Sequence, residues 1–164
     1  MKHLQKSLSK ITDLQGIQKK LEQWRKENRR IVFTNGCFDL VHRGHVEYLS
    51  EAADLGDVLV VGLNSDASVS RLKGPHRPII DETSRSILLS ALECIDAVVL
   101  FEEDTPLELI RKIQPDVLVK GGDYSEATIV GADIVRAGGG SVRCIPLTPD
   151  CSTSRIETKI KNQR

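Results

Sequence analysis

Ile31-Val32-Phe33-Thr34-Asn35-Gly36-Cys37-Phe38-Asp39-Leu40-Val41-His42-Arg43-Gly44-His45 is the stretch on which the fold turns. It opens with β-branched and aromatic residues, passes a glycine-containing turn and runs into a helix. His42 and His45, three residues apart at a helix start, share one helix face. Free N–H groups and the helix dipole at that end favour an anion. Two imidazoles beside an anion site point to phosphate chemistry.

Outward from this segment the pattern alternates strand and helix. Leu14, Ile17, Leu21 and Trp24 step by three and four residues, so 13–28 reads as an amphipathic helix leading into the first strand. After His45 a helix carries Val46, Leu49 and Ala53, and Gly56 is its expected left-handed cap. Apolar runs at 57–63, 95–101, 116–120 and 141–147 predict four more strands. Helices are expected over 81–93, from Thr105-Pro106-Leu107-Glu108 to Pro115, over 129–137, and from Ser152 to about Lys161. Thr105 and Glu108 suggest a capping box with Pro106 at the first helical position.

This is the pattern of an α/β fold, a Rossmann-like open parallel five-stranded sheet with helices on both faces. It reads as one domain over 1–164, with a helical lead-in at 1–28 and a core at 29–161. Ligands bind such sheets beyond the C-terminal strand ends, which makes 34–45, 64–78, 120–128 and 148–155 the informative loops.

The chain has 164 residues, 40% apolar and 28% charged, with 23 Lys+Arg against 23 Asp+Glu. A net charge of zero argues against a nucleic-acid surface. The cysteines at 37, 94, 144 and 151 show no C-x-x-C spacing and read as reduced thiols of a cytoplasmic protein. The polar start at Met1–Lys10 suggests no signal peptide, and no apolar run approaches the ~20 residues of a membrane span. The expectation is therefore a protein with neither a membrane nor a nucleic-acid partner.

The first loop lacks both G-x-G-x-x-G and G-x-x-x-x-G-K-[ST], which speaks against hydride transfer and P-loop hydrolysis. Three readings of His42 and His45 stand at this point: a phosphate-facing pair, a surface pair beside a helix cap, or a metal pair with Asp39. Arg43 and Gly44 are poor neighbours for a cation. In the second loop Arg71, Lys73, His76 and Arg77 cluster, and Lys73 is the candidate phosphate contact. Lys120-Gly121-Gly122-Asp123-Tyr124 follows a strand, and either lets backbone approach a base or forms an ordinary turn. Ser152-Thr153-Ser154-Arg155 opens the last helix as a second anion cradle, although capping alone accounts for one hydroxyl.

Together these segments resemble the nucleotidyltransferase superfamily marked by H-x-G-H, here His42-Arg43-Gly44-His45, with a late S-T-[ST] at Ser152-Thr153-Ser154. More narrowly, the chain resembles the bacterial heptose 1-phosphate adenylyltransferases of lipopolysaccharide-core precursor synthesis. Thr34–Asp39, Asn64–Ser68, Arg71–Gly74, Phe101–Pro106, Lys120–Tyr124 and Cys151–Thr153 carry that likeness, over about residues 20–160. The resemblance implies transfer of AMP from ATP to D-glycero-β-D-manno-heptose 1-phosphate, giving ADP-heptose and pyrophosphate with Mg²⁺. It implies a homodimer, and a separate heptose kinase and phosphatase, since many relatives are fused to a sugar kinase for which this chain has no room.

On this reading His42, His45 and Lys73 are catalytic. Thr34, Asn35, Gly36, Cys37, Phe38 and Gly44 meet the nucleotide phosphates, joined by Ser152, Thr153, Ser154 and Arg155. Gly121, Asp123 and Tyr124 line the base and ribose. Asn64 serves the acceptor side, Asp39 and Arg85 serve the acceptor side or orient the cations, and no residue is assigned as a metal ligand. The sequence departs from relatives at Leu147, where cytidylyltransferases carry Arg, and at Asp150 and Ser154, where heptose enzymes carry Gly and Thr. Alternatives are nucleotidyl transfer to another phosphorylated acceptor such as glycerol 3-phosphate, and a silent nucleotide-binding module.

Overall fold

A computed structural model of the chain describes residues 1–122 and 128–162. Among these, six strands form one parallel sheet: β1 (Ile11–Thr12), β2 (Ile31–Gly36), β3 (Val58–Asn64), β4 (Ala97–Phe101), β5 (Val117–Gly121) and β6 (Ser141–Ile145). Their order across the sheet is β1-β4-β3-β2-β5-β6, and every pair is parallel. Five strands are those expected. The sixth, β1, is two residues pairing Ile11 with Val98 and Thr12 with Val99 at the sheet edge, too short to leave a periodicity.

Period-two alternation sends side chains to opposite faces. Ile31 and Phe33 of β2 enter one apolar layer with Ile17 and Leu21 of α2 (Leu14–Lys26), Leu109, Ile110 and Ile113 of α6 (Leu107–Ile113), and Val135 of α7 (Ala132–Ala137). Val32 enters the other, with Tyr48, Leu49 and Ala52 of α3 (Arg43–Ala53) and Leu89 of α5 (Glu82–Ser90). β3 is buried along its whole length, as its unbroken apolar run requires. Because Ile17 and Leu21 are fully buried, the lead-in helix is part of the core rather than an appendage to it. It is preceded by α1 (Lys2–Leu8), which has no buried residue.

Three local expectations are corrected. Residues 66–73, read as loop, form helix α4 (Asp66–Lys73), with Ser65 Oγ accepting from the Ser68 N–H at 3.1 Å. The 105–108 capping box does not form: Pro106 is the N-cap of α6 and no side chain caps it. Gly56 is not left-handed, since α3 ends at Ala53 with Asp54 as its right-handed cap. Gly56 is needed instead for space, because a Cβ there would lie 2.6 Å from Val32 Cγ2.

After β2 the chain moves to β3 on one side and reaches β5, on the other, only later. The β2–β5 boundary is thus the switch point, where adjacent connections diverge and leave a crevice at the C-terminal strand ends. The last helix, α8 (Thr153–Lys161), starts at that crevice.

Candidate active site

β2 delivers Thr34-Asn35-Gly36 to the crevice, and Phe38 then takes a left-handed backbone (φ 46°) that turns the chain toward α3. His42 is the extended N-cap of α3 and His45 lies one turn in. Their rings stack with centroids 3.9 Å apart. The His42 N–H donates to His45 Nδ1 at 3.4 Å, and the Phe38 ring meets His45 edge-on at 5.3 Å. Burial lowers the pKa of both imidazoles; that of His45 falls to about 4, with His42 and Lys73 adding to the effect. His42 Nδ1 is buried without a hydrogen-bond partner among the described residues. Such an atom is costly to leave unmet and marks a place for a ligand.

A cavity of about 380 Å³ opens over this pair. Asn35, Gly36, Cys37 and Phe38 line it from the end of β2 and the turn after it, and His42, Gly44, His45 and Tyr48 from α3 and its N-cap. Lys73 enters from the end of α4, Lys120 and Gly121 from β5, and Ser152, Thr153 and Ser154 from the start of α8. Its Gly44 is a packing necessity, since a Cβ there would lie 2.9 Å from Cys151 Cβ and 3.2 Å from the His42 ring. A Cβ on Gly121 would likewise meet Leu147 at 2.9 Å and Tyr48 at 3.2 Å.

A second cavity, of about 400 Å³, shares Asn35, Gly36, Cys37 and Lys120 with the first. It adds Asn64, Leu72, Asp104, Thr105 and Pro106. Lys120 therefore stands in the wall between two spaces, with Nζ donating to Asn35 Oδ1 at 2.7 Å and its pKa lowered by burial. Sequence reasoning assigned it no role, although a lone cation ending an otherwise apolar strand was the signal. Tyr48 was also missed; it lies three residues beyond His45, on the same helix face.

Other expected residues lie beneath the cavity rather than in it. Thr34 is fully buried and shares a 2.6 Å hydrogen bond with the Tyr48 hydroxyl, whose pKa burial pushes up to about 12. Asp39 is 2% exposed; its carboxylate accepts from Arg77 at 2.6 Å and from the Ile79 and Ile80 N–H groups at 2.7 and 3.0 Å. Burial works to raise the Asp39 pKa, but those donors outweigh it and hold the group ionised. Arg85 is fully buried and donates to the Cys37, Asn64 and Ile80 carbonyls and to Asp66.

Asn64 lines only the second cavity and donates to Ser68 Oγ. Ser152 Oγ accepts from the Arg155 N–H, so it serves as the α8 cap, and the Arg155 side chain pairs with exposed Asp150. Asp123 and Tyr124 fall outside the described residues. Among those described, no three His, Cys, Asp or Glu are grouped to hold a metal. Asp39, the further ligand of the metal-pair reading, is committed to Arg77.

Residues 33–157 match the family model described as cytidylyltransferase-like. The chain belongs to the cytidylyltransferase-like family. Within it, the chain is 55% identical over 152 residues to the "bifunctional protein HldE" of Syntrophotalea carbinolica, covering 93% of this chain and 31% of that protein. The protein of the same name from Wolinella succinogenes is 52% identical over 159 residues, or 97% and 33%. The chain thus spans about a third of the curated relatives it matches.

A lipopolysaccharide core biosynthesis protein from Thermoplasma volcanium superposes with TM-score 0.59 at 31% identity, over 73% of this chain and 97% of that one. Pantoate-β-alanine ligase from Francisella tularensis superposes with TM-score 0.62 at 13% identity, over 92% and 76%, a likeness of fold alone. Asp150, where the resemblance to the heptose enzymes implies Gly, has φ 61°. The site therefore requires a left-handed residue, and Asp is among the few others that tolerate it. No described helix is long and apolar enough to cross a membrane.

Proposed function

We propose that the chain transfers the adenylyl group of ATP to D-glycero-β-D-manno-heptose 1-phosphate, releasing pyrophosphate and forming ADP-heptose. The observation that carries the reading is the pair of cavities divided by Lys120 and Asn35. One is ringed by phosphate donors, the stacked imidazoles, Lys73 and the α8 hydroxyls, and takes the triphosphate. The other takes the sugar phosphate. Identity of 55% to a bifunctional protein HldE over nearly the whole chain supports the same reading.

The acceptor phosphate is largely dianionic at neutral pH, its second pKa being ~6, and so needs no general base. Its oxygen attacks the α-phosphorus, the bond from that phosphorus to the bridging oxygen breaks, and the electron pair leaves on pyrophosphate. The chain's task is positioning and charge stabilisation. His42 and His45 donate to the α-phosphoryl oxygens as charge builds, and Lys73 with Thr153 and Ser154 holds the outer phosphates. Lys120, between donor and acceptor, offsets their mutual repulsion.

The cavity lining contains no carboxylate among the described residues. Its imidazole, ammonium and hydroxyl groups suit phosphate oxygens, so Mg²⁺ would sit on the phosphates and water and supply charge neutralisation there. Gly121, Asp123 and Tyr124 are assigned to base and ribose. The reading extends to a cytoplasmic homodimer supplied by a separate heptose kinase and phosphatase.

The test is pyrophosphate release with Mg²⁺ and heptose 1-β-phosphate, with ATP and CTP side by side, because the family model is described as cytidylyltransferase-like. Release with ATP alone, dependent on the sugar phosphate, is expected. His42→Ala and His45→Ala each lower kcat by about 10²–10³, the scale of losing one transition-state donor. Near-normal turnover in both would sink the assignment.

A further inference from the structure

Helix α8 carries Thr153 and Ser154 of the phosphate cavity, yet none of its residues is buried. Ile160 is more than half exposed. Apart from half-buried Ile156, apolar packing therefore does little to fix this helix over the histidine pair. Two ties of the segment that leads into it are exposed: Arg43 to Cys151 Sγ at 3.6 Å, and Thr148 to Glu47 at 2.6 Å. Exposed pairs of this kind contribute little.

The third tie is of another character. Arg77 donates through Nη1 to Asp39 and through Nη2 to Glu157 on α8. The Arg77 side chain is 14% exposed and that of Asp39 1%. Asp39 is itself anchored by the Ile79 and Ile80 N–H groups. The main chain of Arg77 is tied back to α4, its N–H to the Gly74 carbonyl and its carbonyl to Ser70 Oγ. Lys161, largely exposed, also reaches Glu157, at 3.0 Å. One guanidinium thus joins the end of α4, which bears Lys73, the segment leading to His42, and α8. A planar fork with fixed donors holds such a geometry, whereas a point charge does not.

We infer that Arg77 is a positioning residue: through Glu157 it holds α8 so that Thr153 and Ser154 close the phosphate cavity opposite His42 and His45. This rests on the adenylyltransferase reading in taking that cavity as the ATP phosphate site. The experiment compares parent protein, Glu157→Gln, Arg77→Lys and the double variant. Hydrogen exchange over 153–161, ATP affinity by calorimetry with Mg²⁺, steady-state kinetics and Tm are measured.

Glu157 lies at the surface end of the link, so Glu157→Gln is the variant that keeps the fold. Its α8 amides are expected to exchange about tenfold faster without ATP, and its ATP Kd and KM to rise about tenfold, as for loss of a partly desolvated charge pair. kcat stays within about threefold because the reacting groups are untouched. The double variant should bind ATP no more weakly than Arg77→Lys alone, since both cut one link. Unchanged exchange and ATP affinity in Glu157→Gln, or effects that multiply in the double variant, would overturn the inference. A parent protein that binds ATP but releases no pyrophosphate with the heptose phosphate would overturn the acceptor assignment instead, leaving exchange and ATP affinity to decide on Arg77.

Discussion

His45 is a base held out of use until an anion arrives. Burial, then His42 and Lys73, set its pKa at about 4, against about 6.5 in an unfolded chain. Between those values the unfolded state binds more protons. The contribution to stability is therefore complete above about pH 6.5 and is lost as pH falls toward 4; His42, also lowered, acts in the same direction. Phosphate oxygens against the ring reverse the balance by favouring the charged form. ATP binding near pH 6 is thus expected to take up protons, read as binding enthalpies that differ between buffers of different ionisation enthalpy. Equal enthalpies would place the triphosphate away from His45. The pair itself was legible from the sequence, because three-residue spacing at a helix start is a local property. The lowered pKa was not, since it depends on burial and on Lys73, which comes from a distant helix.

Among elements, the junction of α3 with the approach to α8 decides the geometry of the cavity. Gly44 lets Cys151 come within van der Waals contact of the α3 backbone. Gly44→Ala would place a Cβ 2.9 Å from Cys151 Cβ, closer than carbon atoms pack, and the α8 lead-in must give way. Helix propensity alone favours Ala by ~1 kcal/mol, so the expectation is a fold kept and a site disturbed. ATP KM should rise by about tenfold or more, since about 1 Å of misplacement is enough to cost up to 10²-fold. Gly44→Ala/Cys151→Gly removes the opposing Cβ and should recover much of the loss. Failure of the second change to help would show that the glycine serves something other than this contact. The same scale marks a limit of sequence reading. Asn64-Ser65-Asp66 looks like a turn and is in fact the capped start of α4, with Ser65 as N-cap, so Lys73 reaches the cavity from a helix end rather than a loop.

Across the whole molecule, the alternation of apolar runs made the parallel sheet legible, and the switch-point rule placed the crevice at the C-terminal strand ends. The second cavity was not foreseen, because Asn64, Leu72, Asp104 and Thr105 meet only once β3 lies between β2 and β4. The groups that Arg85 holds together were hidden for the same reason. From the sequence it is a cation facing substrate; in the fold it is a bracket. Its donors reach the Cys37 carbonyl at 2.6 Å, the Asn64 carbonyl at 2.9 Å, the Ile80 carbonyl at 2.9 Å and Asp66 at 2.7 Å. They join the ends of β2 and β3 to α4 and α5, and Arg85 itself has no solvent exposure. Arg85→Met leaves those carbonyls unmet and Asp66 unpaired, at a cost of about 3–5 kcal/mol. For a chain of this size that lowers Tm by about 6–20 °C. Arg85→Lys should fare little better, because a single ammonium does not span acceptors set around a fork. A substrate-binding arginine predicts the opposite pattern, a raised acceptor KM at parental Tm. Thermal unfolding of Arg85→Lys beside its acceptor KM separates the two, and an unchanged Tm with weakened acceptor binding would return Arg85 to the substrate.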